Sequence, residues 1–156
     1  MTREVIEPEP ARAQRESVRD RATLLGAIAA GGSVGAVARH GLAQLWPTAP
    51  GGFPWATFAT NVSGCLLIGI LMVLITEVWV GHRLLRPFLG VGVLGGFTTF
   101  STYAGETRNL LRPDTIGLAF GYLAGTLVCA LLATLLGARL TRAAAAARRR
   151  GHRRAA

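Results

Sequence analysis

The sequence predicts an all-α integral membrane protein of four transmembrane helices, the third of them interrupted. Three observations predict it. Hydrophobic residues make up 51% of the 156, and the mean hydropathy is +0.40, high for a soluble chain of this length. Charge is confined, because residues 22–138 contain only Arg39, Glu77, Arg83, Arg86, Glu106, Arg108, Arg112 and Asp114. Between those charges and the Pro/Gly turns lie four apolar stretches, each near the ~20 residues that a bilayer requires.

Taken in order, residues 1–21 form a polar N-terminal tail with Pro8 and Pro10, expected to be disordered and to end in a short helical lead-in. It lacks the apolar core of a signal peptide. The apolar region, residues 22–138, starts with a first span from Ala22 to about Leu45, whose Gly31, Gly32 and Gly35 offer a small-residue face for close helix packing. Trp46 and Trp55 flank a Pro/Gly loop and are expected at the membrane interface. The second span runs from about Pro54 to Thr76, and Glu77–Arg86 makes a short charged connection. The third span covers about Pro87 to Arg108. Its Gly95-Gly96 pair lowers helix propensity twice, just before Thr98 and Thr99, so the break is expected at the glycines. In lipid, the carbonyls such a break frees need protein, water or an ion, so the stretch reads as an ion or substrate site; the alternative is a kink that serves only packing. The fourth span is Thr115 to Ala138, with Gly117, Gly121 and Gly125 as a second small-residue ridge. Residues 139–156 form an Arg-rich tail.

The net charge of +9 is uneven. Residues 1–21 are neutral, 22–138 carry +2, and 139–156 carry +7 from seven Arg. An Arg run abutting an apolar segment fits an anionic lipid leaflet better than nucleic acid. Four spans put both termini on one side, which also receives Arg83 and Arg86, while the other receives only Arg108 and Arg112. The positive-inside rule then places both termini in the cytoplasm.

Polar residues inside the spans are the candidates for function. Arg39 sits late in the first span, as a snorkelling side chain or an anion-attracting vestibule charge. Thr57 and Asn61 share a face of the second span, and Tyr122 and Thr126 share one of the fourth, next to the glycine ridge. Phe100 and Tyr103 are one turn apart with Ser101 and Thr102 between them, and Glu106 follows. Ring edges carry partial positive charge, so an anion can lie against them in a dry site, although two aromatics at this spacing are more often plain packing. Catalysis finds no support: His40, His82 and His152 are scattered and no serine has a base at suitable spacing. Cys65 and Cys129 lie in apolar segments without metal-like spacing and read as buried apolar residues.

Three stretches closely resemble the signatures of the CrcB/Fluc fluoride channel family. They are Gly31-Gly32-Ser33-Val34-Gly35-Ala36-Val37-Ala38-Arg39-His40, Trp55-Ala56-Thr57-Phe58-Ala59-Thr60-Asn61-Val62-Ser63-Gly64, and Gly95-Gly96-Phe97-Thr98-Thr99-Phe100-Ser101-Thr102-Tyr103. The resemblance covers roughly residues 24–138 and leaves out both tails. It implies an antiparallel dimer in the bacterial plasma (inner) membrane that exports fluoride passively and lowers its cytoplasmic concentration. It further implies a structural sodium ion at the dimer centre, held by the backbone carbonyls of Gly95 and Thr98. The pore positions it implies are Asn61, Phe100, Tyr103, Tyr122 and Thr126. Arg39, Thr57, Ser101, Thr102 and Glu106 are expected as vestibule or polar support.

Two departures from the family pattern stand out. Tyr103 occupies a position that is usually phenylalanine, and its added hydroxyl is expected either to hold the ion too well or to bond across the dimer. The Arg bias is strong for a dual-topology homodimer, so a heterodimer with an oppositely oriented homologue is the alternative to a homodimer. Two other functions compete. A small four-helix multidrug transporter needs a carboxylate in its first span, and residues 22–45 have none. A non-conducting accessory subunit of a heterodimeric fluoride channel is the other.

Overall fold

The computed structural model describes residues 9–78 and 83–155, with side chains described from Ser17 to Arg148. Residues 1–8 of the N-terminal tail, and 79–82 of the charged connection with His82, lie outside the described residues. Every regular element among the described residues is helical.

Helix α1 (Glu9–Leu45) is 37 residues long, about 55 Å at 1.5 Å per residue. That exceeds the ~30 Å hydrocarbon core, so the helix extends well into water at its N-terminal end. The expected disordered tail is therefore helical from Glu9 onward. After Pro10, which a first turn tolerates, the stretch up to Arg21 holds no Gly or Pro and is rich in Arg, with Ala, Gln and Glu beside it. The loop after it turns at Gly51, whose φ of 71° suits glycine. Helix α2 (Trp55–Val73) follows a buried Pro54 and unwinds into a wider π-helical turn, Leu74–Val78.

The third span is not one helix. A π-helical segment, Arg86–Leu94, runs into a single turn, α3 (Gly95–Phe97); Thr98 and Thr99 are extended; and α4 (Phe100–Leu110) resumes. The interruption expected at Gly95-Gly96 falls three residues later. Gly95 is helical, with φ −66° and ψ −35°. The glycines lie where tertiary packing overrides their low helix propensity, because a Cβ on Gly96 would strike the backbone of Gly32. What breaks the helix is a pair of hydroxyls. Thr98 sits at ψ 155°, and Thr99 caps α4 by accepting the Thr102 N–H on its side chain. Helix α5 (Ile116–Ala155) closes the fold and spans 40 residues.

Among the described residues, three helical stretches are long and apolar enough to cross a membrane alone, Ser17–Leu45, Trp55–Val78 and Ile116–Arg148. The interrupted third span makes the fourth helical unit. Helix α1 packs on the Arg86–Phe97 half of it, while α4 packs on α5, and α2 lies along α5. The first contact is backbone against backbone. A Cβ on Gly35 would fall on the Val93 carbonyl and lie 2.7 Å from the Phe97 nitrogen. The ridge expected at Gly117, Gly121 and Gly125 packs against nothing in the subunit, with no atom within 4 Å of a Cβ at any of the three. The inward face of α5 is instead Ala119, Tyr122 and Thr126, one turn apart in register and all buried. Cys65 and Cys129 are half-buried, unpaired thiols.

The two ends of the bundle differ. At one end Trp46 stacks on Trp55 with centroids 6.4 Å apart, beside Phe53 and Phe58, as amphipathic rings at an interface do. At the other end, Arg83 holds Asp20 through two hydrogen bonds of 2.9 and 3.1 Å, and Arg142 holds Glu77 at 2.8 Å. These pairs tie the connection after α2 to the water-side extensions of α1 and α5. All four partners are solvent-exposed, so the pairs are screened by water and contribute little to stability.

Candidate functional site

The break in the third span organises the site. In an unbroken helix the N–H of Thr99 would serve the carbonyl of Gly95, and that of Thr102 the carbonyl of Thr98. Both donors are diverted. The Thr99 N–H donates to Asn61 Oδ1 at 2.8 Å, and the Thr102 N–H donates to Thr99 Oγ1 at 3.2 Å. Asn61 Nδ2 also donates to the Thr99 carbonyl at 2.9 Å, so the side chain grips both polar groups of one extended residue. A third carbonyl, Gly96, accepts from Arg39 Nε at 3.2 Å. Arg39 is therefore half-buried against the break, rather than extended to the nearest interface.

Helix α4 starts with its hydroxyls gathered at the cap. The Thr99 hydroxyl donates to Thr102 Oγ1 at 3.1 Å and lies 3.3 Å from Ser101 Oγ. Ser101, Thr102 and Phe100 all face out of the subunit, and Phe100 is 79% exposed. Tyr103 faces the other way and is 7% exposed. The two rings still touch, 5.9 Å apart. The Tyr103 hydroxyl donates to the Leu123 carbonyl of α5, so it is used inside the subunit, an outcome that neither expectation for this residue had included.

Beyond Tyr103 a strip of rings and hydroxyls follows α5. Tyr103 meets Tyr122 edge-on at 5.2 Å, and Tyr122 meets Phe53 edge-on at 5.2 Å. The Tyr122 hydroxyl donates to Glu106 Oε2 at 2.7 Å, and Thr57 donates to Glu106 Oε1 at 2.9 Å. Glu106 thus joins α2, α4 and α5, and it also lines an open cavity of about 550 Å³ with Asn109, Arg112, Asp114 and the Gly51–Gly52 loop. One turn from Tyr122, Thr126 is 4% exposed, and its hydroxyl oxygen is buried with no hydrogen-bond partner among the described residues. Such a group is rare, since leaving it unpaired costs about 1–3 kcal/mol.

The structure thus brings together Asn61, Arg39 and the 95–102 segment in one cluster, and Thr57, Glu106, Tyr103, Tyr122 and Thr126 in an adjoining one. It separates Phe100 from Tyr103 by burial. Sequence reasoning missed Thr99, the residue that caps α4 and is gripped by Asn61. The signal for it is the N-cap preference for Thr at the residue just before a helix resumes.

Residues 26–138 match the protein-family model described as "CrcB-like protein, Camphor Resistance (CrcB)". The chain belongs to the CrcB family. It is 57% identical over 131 residues to "Fluoride-specific ion channel FluC 2" of Nocardia farcinica, covering 84% of this chain and 93% of that one. Over 118 residues it is 52% identical to "Fluoride-specific ion channel FluC 2" of Streptomyces avermitilis, covering 76% and 74%. A Streptomyces coelicolor protein named "Fluoride-specific ion channel FluC 1" is 50% identical over 124 residues, 80% of each chain. Together with the apolar helices, membership in the CrcB family makes this a multi-pass membrane protein. The matched region ends at Ala138, so the Arg-rich end of α5 lies beyond what defines the family.

Proposed function

We propose that the chain is a subunit of a fluoride-specific channel that lets fluoride leave the cytoplasm down its gradient. The observation that carries the reading is the buried, unpartnered hydroxyl of Thr126 beside the ring strip. Fluoride is small and strongly hydrated, so a path must replace its water with hydrogen-bond donors. Thr126 has a donor to give, Tyr122 lies one turn away, and the edges of Tyr103 and Phe53 add weak positive field. Asn61 retains one of its two amide hydrogens for an ion. The names of the relatives support the same anion.

The chain is further proposed to sit in the plasma membrane with both termini cytoplasmic, on the Arg distribution. In an antiparallel dimer, a structural sodium ion would lie between facing breaks on the carbonyls of Gly95 and Thr98. The residues fit that group. The helical donors of the Gly95 and Thr98 carbonyls are diverted to side chains, and Gly95 is exposed on the subunit surface. A bound cation would neutralise carbonyl dipoles that the bilayer leaves without water.

Fluoride-electrode efflux from proteoliposomes tests the reading, with chloride as the comparison anion. Rapid fluoride efflux without chloride efflux is expected. Thr126→Val removes the hydroxyl at constant shape; it is expected to lower efflux about tenfold or more while the thermal midpoint stays unchanged or rises. Full efflux in the variant overturns the assignment of Thr126. The charge bias favours a second arrangement, pairing with a homologue of opposite orientation. Robust efflux from the pure chain alone would exclude an obligate partner. An accessory, non-conducting role predicts that Phe100→Ile leaves transport by the assembled channel untouched.

A further inference from the structure

We propose that Asn61 is a positioning residue that holds the Thr98–Thr99 break open, and that it frees the Gly95 carbonyl by taking the N–H of Thr99. The inference rests on the channel reading and deepens it.

Three features lead to it. The Asn61 amide meets Thr99 at both polar atoms, at 2.8 and 2.9 Å, which is the pairing a neighbouring strand would give an extended residue. Thr99 itself has φ −147° and ψ 124°, an extended conformation inside a span whose neighbours on both sides are helical. Thr99 is the N-cap of α4 and its carbonyl already takes the first helical bond, so without a partner from outside the segment it is the Thr99 N–H that would sit unpaired in apolar surroundings. Asn is suited to the task because it carries donor and acceptor on one planar group; Asp lacks the amide donor and Ser lacks the reach.

Arg39 completes the arrangement from the opposite side. Its Nε occupies the Gly96 carbonyl, the acceptor that the Phe100 N–H would use in a continuous helix. Two helices, α1 and α2, thus each insert one side chain into the ladder of the third span. The close approach of α1 at Gly32 and Gly35 is what allows Arg39 to reach. Of the carbonyls at the break, Gly96 is engaged by Arg39 and Thr99 by Asn61, whereas Gly95, Phe97 and Thr98 stand without their helical donors. The two clamps therefore set which backbone groups of the break are already engaged inside the subunit. A residue that also has one N–H left for an anion links the two ions through a single side chain.

The test is hydrogen–deuterium exchange on the full-length protein in lipid nanodiscs, read on the peptide spanning Phe97–Tyr103, in parallel with fluoride efflux. Asn61→Ala is expected to speed exchange at the Thr99 amide about tenfold or more and to abolish efflux. Asn61→Asp keeps an acceptor for that N–H but not the donor to the carbonyl, so its exchange is expected between wild type and Asn61→Ala. It carries the test alone if the alanine variant does not fold. Tyr122→Phe, which alters the hydroxyl strip without touching the break, is expected to change efflux and leave this peptide's exchange as in wild type. Unchanged exchange at Thr99 in both Asn61 variants, with efflux lost, would overturn the proposal and leave Asn61 as an ion ligand only. Faster exchange in a protein whose wild type passes no fluoride would support the clamp and refute the channel reading instead.

Discussion

The two halves of the third span are held by different forces. The half from Arg86 to Phe97 is packed by absence of side chain: Gly92 and Gly96 on one side meet Gly31, Gly32 and Gly35 of α1, backbone against backbone. The half from Phe100 to Leu110 is packed by side chains, through Tyr103, Glu106, Thr107 and Leu110 against α2 and α5. In lipid the first relies on close van der Waals contact and the second on polar groups that have no water to turn to. The difference teaches that the first half is intolerant of volume, whereas the second is intolerant of lost partners.

Substitutions separate these sensitivities. Gly35→Ala places a Cβ among the backbone atoms of Val93, Gly96 and Phe97, none of which can step aside alone. The largest effect is expected here, about 3 kcal/mol or loss of the folded protein, seen as loss of the monodisperse peak in size-exclusion chromatography. Gly121→Ala, with no atom within 4 Å of its Cβ, should behave as wild type in the subunit fold. A tolerated Gly35→Ala would erase the contrast between the halves.

Glu106→Ala comes next. It strips the acceptor from both the Thr57 and Tyr122 hydroxyls, and a destabilisation of about 2 kcal/mol is expected, read as a lower thermal midpoint of the purified protein. Glu106→Gln keeps one acceptor and should fall between. Tyr103→Phe removes one bond, to the Leu123 carbonyl, and is expected to cost about 1 kcal/mol while fluoride efflux is retained, since the ring edge toward Tyr122 stays. The smallest effect is expected outside the bilayer. Arg142→Ala breaks an exposed pair with Glu77 and should shift the midpoint by no more than the equivalent of about 0.5 kcal/mol, less in high salt.

Much of this architecture was legible in the residues alone. Apolar runs of bilayer length and the confinement of charge located the spans, although α1 and α5 run on as helix into the charged tails. The polar residues at helical spacing, Thr57 with Asn61 and Tyr122 with Thr126, were legible as pairs on shared faces. Their partners were not. Nothing in local spacing says that Thr57 and Tyr122 meet on one carboxylate of α4, or that Asn61 spends its amide on a backbone 38 residues away.

The same division explains the misplaced break and the ridge that meets nothing inside the subunit. Helix propensity is a local quantity, so Gly95-Gly96 read as a breaker and Gly117, Gly121 and Gly125 read as a packing stripe. Which glycines face a neighbour depends on how helices are arranged around each other, and that only the tertiary structure decides. By itself the sequence determined how many helices there are, which stretches are apolar enough for lipid, and which polar groups must find partners there, because burial and hydrogen-bond need are properties of residues. The tertiary structure decided where the third span opens, because the Thr99 N–H has two competing acceptors, Gly95 four residues back and Asn61 on another helix. Only the packed fold brings the second within reach.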